Sequence, residues 1–436
     1  MELFLSSLYT AFFCILILRL PFFKIKGIPS YVFVAVFLLK LLAALALTLI
    51  YTYYYKDRST ADIFKYFDDA KILFAALKHK PFDYFRMVTG IGAGSPDLKH
   101  YYLDCNYWYK KFDYMMYNDN RTIIRFNAIV LLFSFGKFFV HNVFISFLSM
   151  IGLMGIYKVF VQYYESKKME LLVAIFLLPS VLLWTSGTLK EGLVVFAFGL
   201  FFYSLWNMLY KRYRLIDLIV CLSMIFILLL AKYYVIACAI PGILFLLGKR
   251  MFMIKNNVIA VAISLVVCFL FLTLGRFIGG SLDVINTLTY KHNDFVTFSL
   301  SLDKVGSLMD TSMLKPNLID FSKHIPDALY KSLFKPFPWD VHNVMSLLPA
   351  AENVLLVVLC LLCLFRFNRQ KQQVELLVFS ISFVLCLNIL NGLIVPVFGA
   401  LVRYKVPAMP FLFALLLCLI DVGWKKSTVT SNDSNS

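Results

Sequence analysis

Long apolar runs separated by short polar stretches dominate the chain. They fall near residues 3–20, 30–54, 139–163, 170–185, 191–209, 215–231, 233–248, 256–275, 343–365, 374–398 and 401–423. Each is close to the roughly 20 residues that an α-helix needs to cross a hydrocarbon core of about 30 Å. A membrane β-barrel would show short alternating segments of about ten residues instead. The pattern therefore predicts an all-α polytopic membrane protein with about 11 transmembrane helices. One segment, 121–137 (R-T-I-I-R-F-N-A-I-V-L-L-F-S-F-G-K), is short and carries two arginines at its start. It reads as an interfacial helix lying on the membrane surface.

The basic residues then set the orientation. Arg19, Lys24 and Lys26 lie between the first two runs, and Lys167 and Lys168 follow the third. Lys211, Arg212 and Arg214 follow the fifth, and Lys249, Arg250 and Lys255 the seventh. Arg366, Arg369 and Lys371 follow the ninth, and Lys425 and Lys426 the last. With 121–137 not crossing, every one of these clusters falls on the cytoplasmic side. The N-terminus and two long segments, 55–138 and 276–342, then lie outside. The expected organisation is residues 1–275 as a membrane module carrying an acidic outer loop at 55–138, a second outer loop at 276–342, C-terminal membrane helices over 343–426, and a polar disordered tail at 427–436.

Composition agrees with the pattern. Of 436 residues, 61% are hydrophobic and 15% charged, against about a quarter charged in soluble domains. The formal net charge of +17 follows from the loop lysines and arginines. No basic stripe or motif points to nucleic acid. Eight of the nine cysteines lie within apolar runs, and no disulfide framework or metal-ligand spacing is present. Met1-Glu2 is not a basic leader, so the first run reads as a retained helix.

The polar punctuation gathers on the predicted outer side. Asp62, Tyr66 and Asp69 recur at spacings of four and three, one face of a helix, with Asp68 beside them. A carboxylate at a membrane edge suits a general base or a divalent-cation ligand; the plainer alternative is a solvated amphipathic helix with Lys65 and Asp69 paired. Pro179 to Glu191 (P-S-V-L-L-W-T-S-G-T-L-K-E) turns between two runs and ends in Lys190-Glu191. Lys232 sits at the next outer turn, where an interfacial anchor is the alternative. Trp339 could stack on a sugar ring or sit at the interface. His324 and His342 share the second loop with no ligand spacing. Glu352 lies inside the ninth run, where a carboxylate is functional by default or paired within the bundle. Arg403-Tyr404 opens the last run, and an arginine there suits a phosphate or pyrophosphate, or a lipid headgroup.

Taken together these features resemble the GT-C superfamily of integral-membrane glycosyltransferases that use polyprenyl-phosphate sugars. The resemblance rests on the acidic stretch Asp62 to Asp69, on Pro179-Ser180 with Glu191 after a short turn, and on Arg403-Tyr404-x-x-Pro407-x-x-Pro410. The chain departs from the family in placing the acids after the second helix and in having Asp68-Asp69 where an Asp-Glu pair is usual. The resemblance implies inverting transfer at the outer face of a bacterial inner membrane. Asp62 or Asp69 would be general base or hold a cation. Arg403, with Lys232 or Lys190, would bind the lipid phosphate, and a glycan, lipid or protein would be the acceptor among membrane lipids. A polysaccharide polymerase or ligase of the O-antigen type, and a transporter or flippase, are the alternatives. The absence of an internal repeat weighs against the last.

Overall fold

A computed structural model describes the chain except for residues 56–57, 59–60, 110–116, 301–308, 310–311, 342–343, 368–371 and 422–436. His342, Arg369, Lys371, Lys425, Lys426 and the tail at 427–436 lie outside the described residues. Everything described is helix and connection. The helices are α1 (Glu2–Arg19), α2 (Ser30–Leu49, continued by π-helical Ile50–Tyr54), α3 (Asp62–His79), α4 (Pro81–Thr89), α5 (Lys99–Leu103), α6 (Asn120–Ser134), α7 (Phe138–Tyr163), α8 (Lys168–Phe176) and α9 (Pro179–Trp184). They continue as α10 (Lys190–Tyr210), α11 (Leu215–Arg250), α12 (Asn257–Ile278), α13 (Val284–Leu300), α14 (Leu318–Phe334), α15 (Val344–Phe365), α16 (Val374–Ile394), α17 (Phe398–Tyr404) and α18 (Met409–Leu419). Among the described residues, nine helical stretches are long and apolar enough to cross a membrane. The chain is a polytopic helical membrane protein.

One predicted span, 170–185, takes an unexpected form, and the turn expected at Lys232 is present. Residues 170–185 are not one helix. Pro179 has no N–H to donate, and its ring excludes the carbonyl four residues earlier. Leu178, held extended ahead of it at φ −60°, ψ 126°, separates α8 from α9. The runs at 215–231 and 233–248 are continuous in α11, except at Lys232, whose φ −156° and ψ 79° are not helical. A straight helix of 36 residues would reach about 54 Å, far beyond the hydrocarbon core. The chain doubles back instead. Asp217, near the start of α11, accepts from Asn207 at the end of α10. Arg250, at the finish of α11, lies within electrostatic reach of Tyr210 in the same region. Between them, Gly242 packs on Phe379 and Ser382 of α16.

Segment 121–137 is shorter than a crossing, in line with its charged start. It forms α6, which buries Ile123, Ile124, Ala128 and Leu131 and packs on α3 and the neighbouring bundle helices. It ends where Phe135 and Gly136 both take positive φ, turning the chain into α7.

The centre of the bundle is the α7–α10 crossing. A Cβ on Gly199 would come within 2.0 Å of the Gly152 carbonyl oxygen, and one on Gly152 within 2.2 Å of the Val195 carbonyl oxygen. In lipid, such close backbone approach is what holds helices together, because burying apolar side chains gains little there. Gly199→Val must separate the two backbones. It is expected to lower the melting temperature by at least 5 °C, measured by differential scanning fluorimetry in detergent. Unchanged melting would show that the crossing carries no stability. The outer wall is different: α1 and α12 bury only 17% of their apolar windows within the protein, as faces turned to lipid do.

Candidate functional site

The polar residues converge at one end of the bundle, where α2 stops and α10 begins. Asp62 opens α3 and Arg403 closes α17. Arg403 Nη1 donates to Asp62 Oδ2 at 2.8 Å, joining residues 341 positions apart. Its Nη2 lies 3.5 Å from Glu191 Oε2 on α10. Glu191 Oε1 in turn accepts from Lys232 Nζ at 2.9 Å. The non-helical backbone at Lys232 is what delivers that side chain to Glu191 at the reversal of α11. Lys190, beside Glu191, donates to Asp119 and to Asn120 Oδ1, the latter at 2.9 Å. Tyr66 completes the ring by donating to the same Asn120 oxygen at 3.2 Å. Aromatic faces line the cations: Lys232 lies 4.1 Å from the centre of the Tyr404 ring and Arg403 5.3 Å from that of Trp184.

Three carboxylates (Asp62, Asp119, Glu191) thus meet three cations (Arg403, Lys190, Lys232). The inner members are sealed: the side chains of Glu191 and Lys232 are 1% and 2% exposed. The outer members are open, with Asp62 at 25% and Asp119 at 23%. So the network balances three negative against three positive groups, with a sealed inner end and a partly exposed outer end. It is also not saturated. Arg403 Nε and Glu191 Oε2 are buried without a hydrogen bond. A guanidinium carries five N–H donors, and this one spends a single short bond on Asp62. Burial pushes the Asp62 carboxyl upward, but the Arg403 guanidinium and the Tyr107 hydroxyl outweigh it and hold the group below its ordinary range. Asp62 is therefore charged at neutral pH. Its stabilising contribution is complete above the unfolded value near 3.9 and disappears as the pH falls through the lower folded value.

Of the residues singled out from sequence, Asp62, Tyr66, Lys190, Glu191, Lys232, Arg403 and Tyr404 come together here. Four do not. Asp68 is a surface acid, paired with Arg58 at 2.8 Å and Lys71 at 3.1 Å. Asp69 is fully buried, its oxygens taken by the Asn106 N–H and Nδ2 and by the Tyr107 N–H at 2.7–2.8 Å. Burial pushes its carboxyl up, and those donors only partly oppose the effect. Both its oxygens are engaged by the chain and the residue is sealed from solvent, so an acceptor hydroxyl does not reach it. Trp339 is 75% exposed and stacked on Phe337. Glu352 belongs to a second buried cluster, accepting from the Ser180 N–H. There, Lys405 donates to Asn353 Oδ1 and to the Ser332 carbonyl.

Sequence reading missed Tyr107, whose hydroxyl donates to Asp62 Oδ1 at 2.8 Å. It also missed Lys40, fully buried in α2, which donates to Thr185 Oγ1 at 2.6 Å. A lysine inside a 20-residue apolar helix was the available signal for the second; nothing local marks Tyr107. Among the described residues, no group of three His, Cys, Asp or Glu side chains stands close enough to ligate a metal ion. Comparison of the chain with protein-family models, with curated proteins and with solved structures finds no match.

Proposed function

We propose that this protein is a membrane glycosyltransferase of GT-C type, moving a sugar from a polyprenyl-phosphate donor to an acceptor with inversion. The observation that carries the reading is the Asp62–Arg403 contact. It unites an acid of the first long loop with an arginine at the head of the last helix pair, at the edge of an apolar bundle and open at its rim. A base beside a phosphate-binding cation is what this transfer requires. In the reaction, Asp62 takes the proton of the acceptor hydroxyl as its oxygen bonds to the anomeric carbon. The bond from that carbon to the phosphate oxygen breaks, and the leaving phosphate carries the electron pair away. Arg403, with its unspent Nε donor, stabilises that charge, and Lys190 lies nearby to assist. Glu191 and Lys232 hold Arg403 in place from below. Arriving phosphate also competes with Asp62 for the guanidinium, so donor binding frees the base it needs.

In this reading the chain crosses the membrane eleven times. Residues 168–184 count as one broken crossing and the two arms of α11 as two. The site then faces outward from a bacterial inner membrane, and the acceptor is a glycan, lipid or protein. The test is release of polyprenyl phosphate from polyprenyl-phosphate sugars by the purified protein in lipid. Asp62→Asn is expected to lower turnover by about 10²- to 10⁴-fold, the range for removing a general base, with folding retained. Full activity in that variant sinks the assignment. Chain growth from lipid-linked oligosaccharides, with no release from monosaccharide donors, would support a polymerase instead.

A further inference from the structure

One face of α3 grips a single tyrosine. Asp62, Lys65, Tyr66 and Asp69 follow one another at spacings of three, one and three, a continuous stripe on a helix, and all four touch Tyr107 or its immediate neighbour. Asp69 accepts from the Asn106 and Tyr107 N–H groups at 2.7 and 2.8 Å. Tyr66 packs its ring 5.3 Å from the Tyr107 ring. Lys65 places its ammonium 4.7 Å from the centre of that ring. Asp62 receives the hydroxyl. From the other side, Asn118 donates to the carbonyls of Tyr107 and Trp108 at 3.0 Å. Tyr107 is therefore held at its N–H, its carbonyl, its ring and its hydroxyl.

We infer that Tyr107 is a positioning residue for Asp62, and that Asp69 acts on the site only through Tyr107. The inference rests on Asp62 being the base of the proposed transfer. The Tyr107 hydroxyl fixes one carboxylate oxygen of Asp62 while Arg403 holds the other. When phosphate draws Arg403 away, the tyrosine keeps the carboxylate aimed and its charge stabilised. Asp69 is two turns removed from Asp62 on α3, and the three hydrogen bonds it accepts all come from Asn106 and Tyr107, in the loop that carries Tyr107. The two aspartates thus work in series, with only the first reaching the acceptor.

The experiment is a pH profile of kcat/KM for polyprenyl-phosphate release, for wild type, Tyr107→Phe, Asp69→Asn, the double variant, and Asn118→Ala, which loosens Tyr107 without touching Asp69. Losing a hydrogen bond to the charged form raises a carboxyl pKa. The acid limb of Tyr107→Phe should therefore move up by about one pH unit, a loss of about tenfold below the wild-type limb. Asp69→Asn and Asn118→Ala should move it the same way, and the double variant no further than Tyr107→Phe alone. An unmoved limb in Tyr107→Phe, or shifts that add in the double variant, overturns the inference. Should wild type turn over no donor, the functional reading fails, and the relay is decided without activity. The ultraviolet titration of wild type minus Tyr107→Phe reports the Tyr107 phenol. Burial and the Asp62 charge hold that phenol above the ordinary tyrosine range. Asp62→Asn and Asp69→Asn should both lower it; no change in Asp69→Asn overturns the relay.

Discussion

Arg403→Ala is expected to abolish polyprenyl-phosphate release and to destabilise the protein. The guanidinium bridges two of the three acids of the site, 2.8 Å from Asp62 and 3.5 Å from Glu191. Removing one partner of a buried charge network costs about 3–5 kcal/mol, because the charge left behind has lost its solvent and gained nothing. Lys232 still neutralises one oxygen of Glu191, so the lower half of that range applies. Loss of one preorganised donor to a developing anion costs turnover a further factor of about 10²–10³. Arg403→Lys separates the two effects. A lysine restores the charge and most of the stability. A single ammonium cannot reproduce the planar fork that meets both carboxylates beside Trp184, so turnover stays low. Melting temperature and release, measured on the same preparations, check both. Wild-type melting and turnover in Arg403→Ala would remove the residue from the site.

A comparably large effect is expected at the sealed pair beneath it. Glu191→Ala leaves the Lys232 ammonium buried with no carboxylate, again at about 3–5 kcal/mol. Glu191→Ala combined with Lys232→Met removes both charges and fills the space with an apolar chain. Replacing a buried ion pair by packed apolar residues is often neutral or stabilising. The double variant should therefore melt nearer to wild type than Glu191→Ala does, with a coupling energy within the roughly 0.5–3 kcal/mol found for contacting residues. Turnover should not return, since Arg403 would have lost its lower brace. A double variant as unstable as Glu191→Ala would show that Glu191 is needed for Arg403, not for Lys232. The two results together tell whether the network is one unit or two pairs.

The sequence by itself determined the class of protein and one stripe of the site. Apolar runs near 20 residues long leave little alternative to membrane helices, because a backbone in lipid must satisfy its own hydrogen bonds. The helical spacing of Asp62, Tyr66 and Asp69 likewise marked a face before any contact was known, and the Lys232 reversal was visible as local punctuation, whereas the break at Pro179 inside the run 170–185 was not. Which acid does what was not legible. Asp62, Asp68 and Asp69 lie within eight positions of one another and look alike in the chain. Yet one meets Arg403, one pairs at the surface, and one is spent inside a loop. The partners of Asp62 and Asp69 lie 37 to 341 residues away, and no local pattern carries such information. Tyr107 shows the same limit, since its backbone is set by Asp69 and Asn118 and its hydroxyl by Asp62. The order of apolar and polar residues along the chain determines which segments are buried in lipid. Only the packing of α3, α10, α11 and α17 decided which buried charges would find each other, because a charge in a low-dielectric interior is tolerated only where the fold supplies its counterpart.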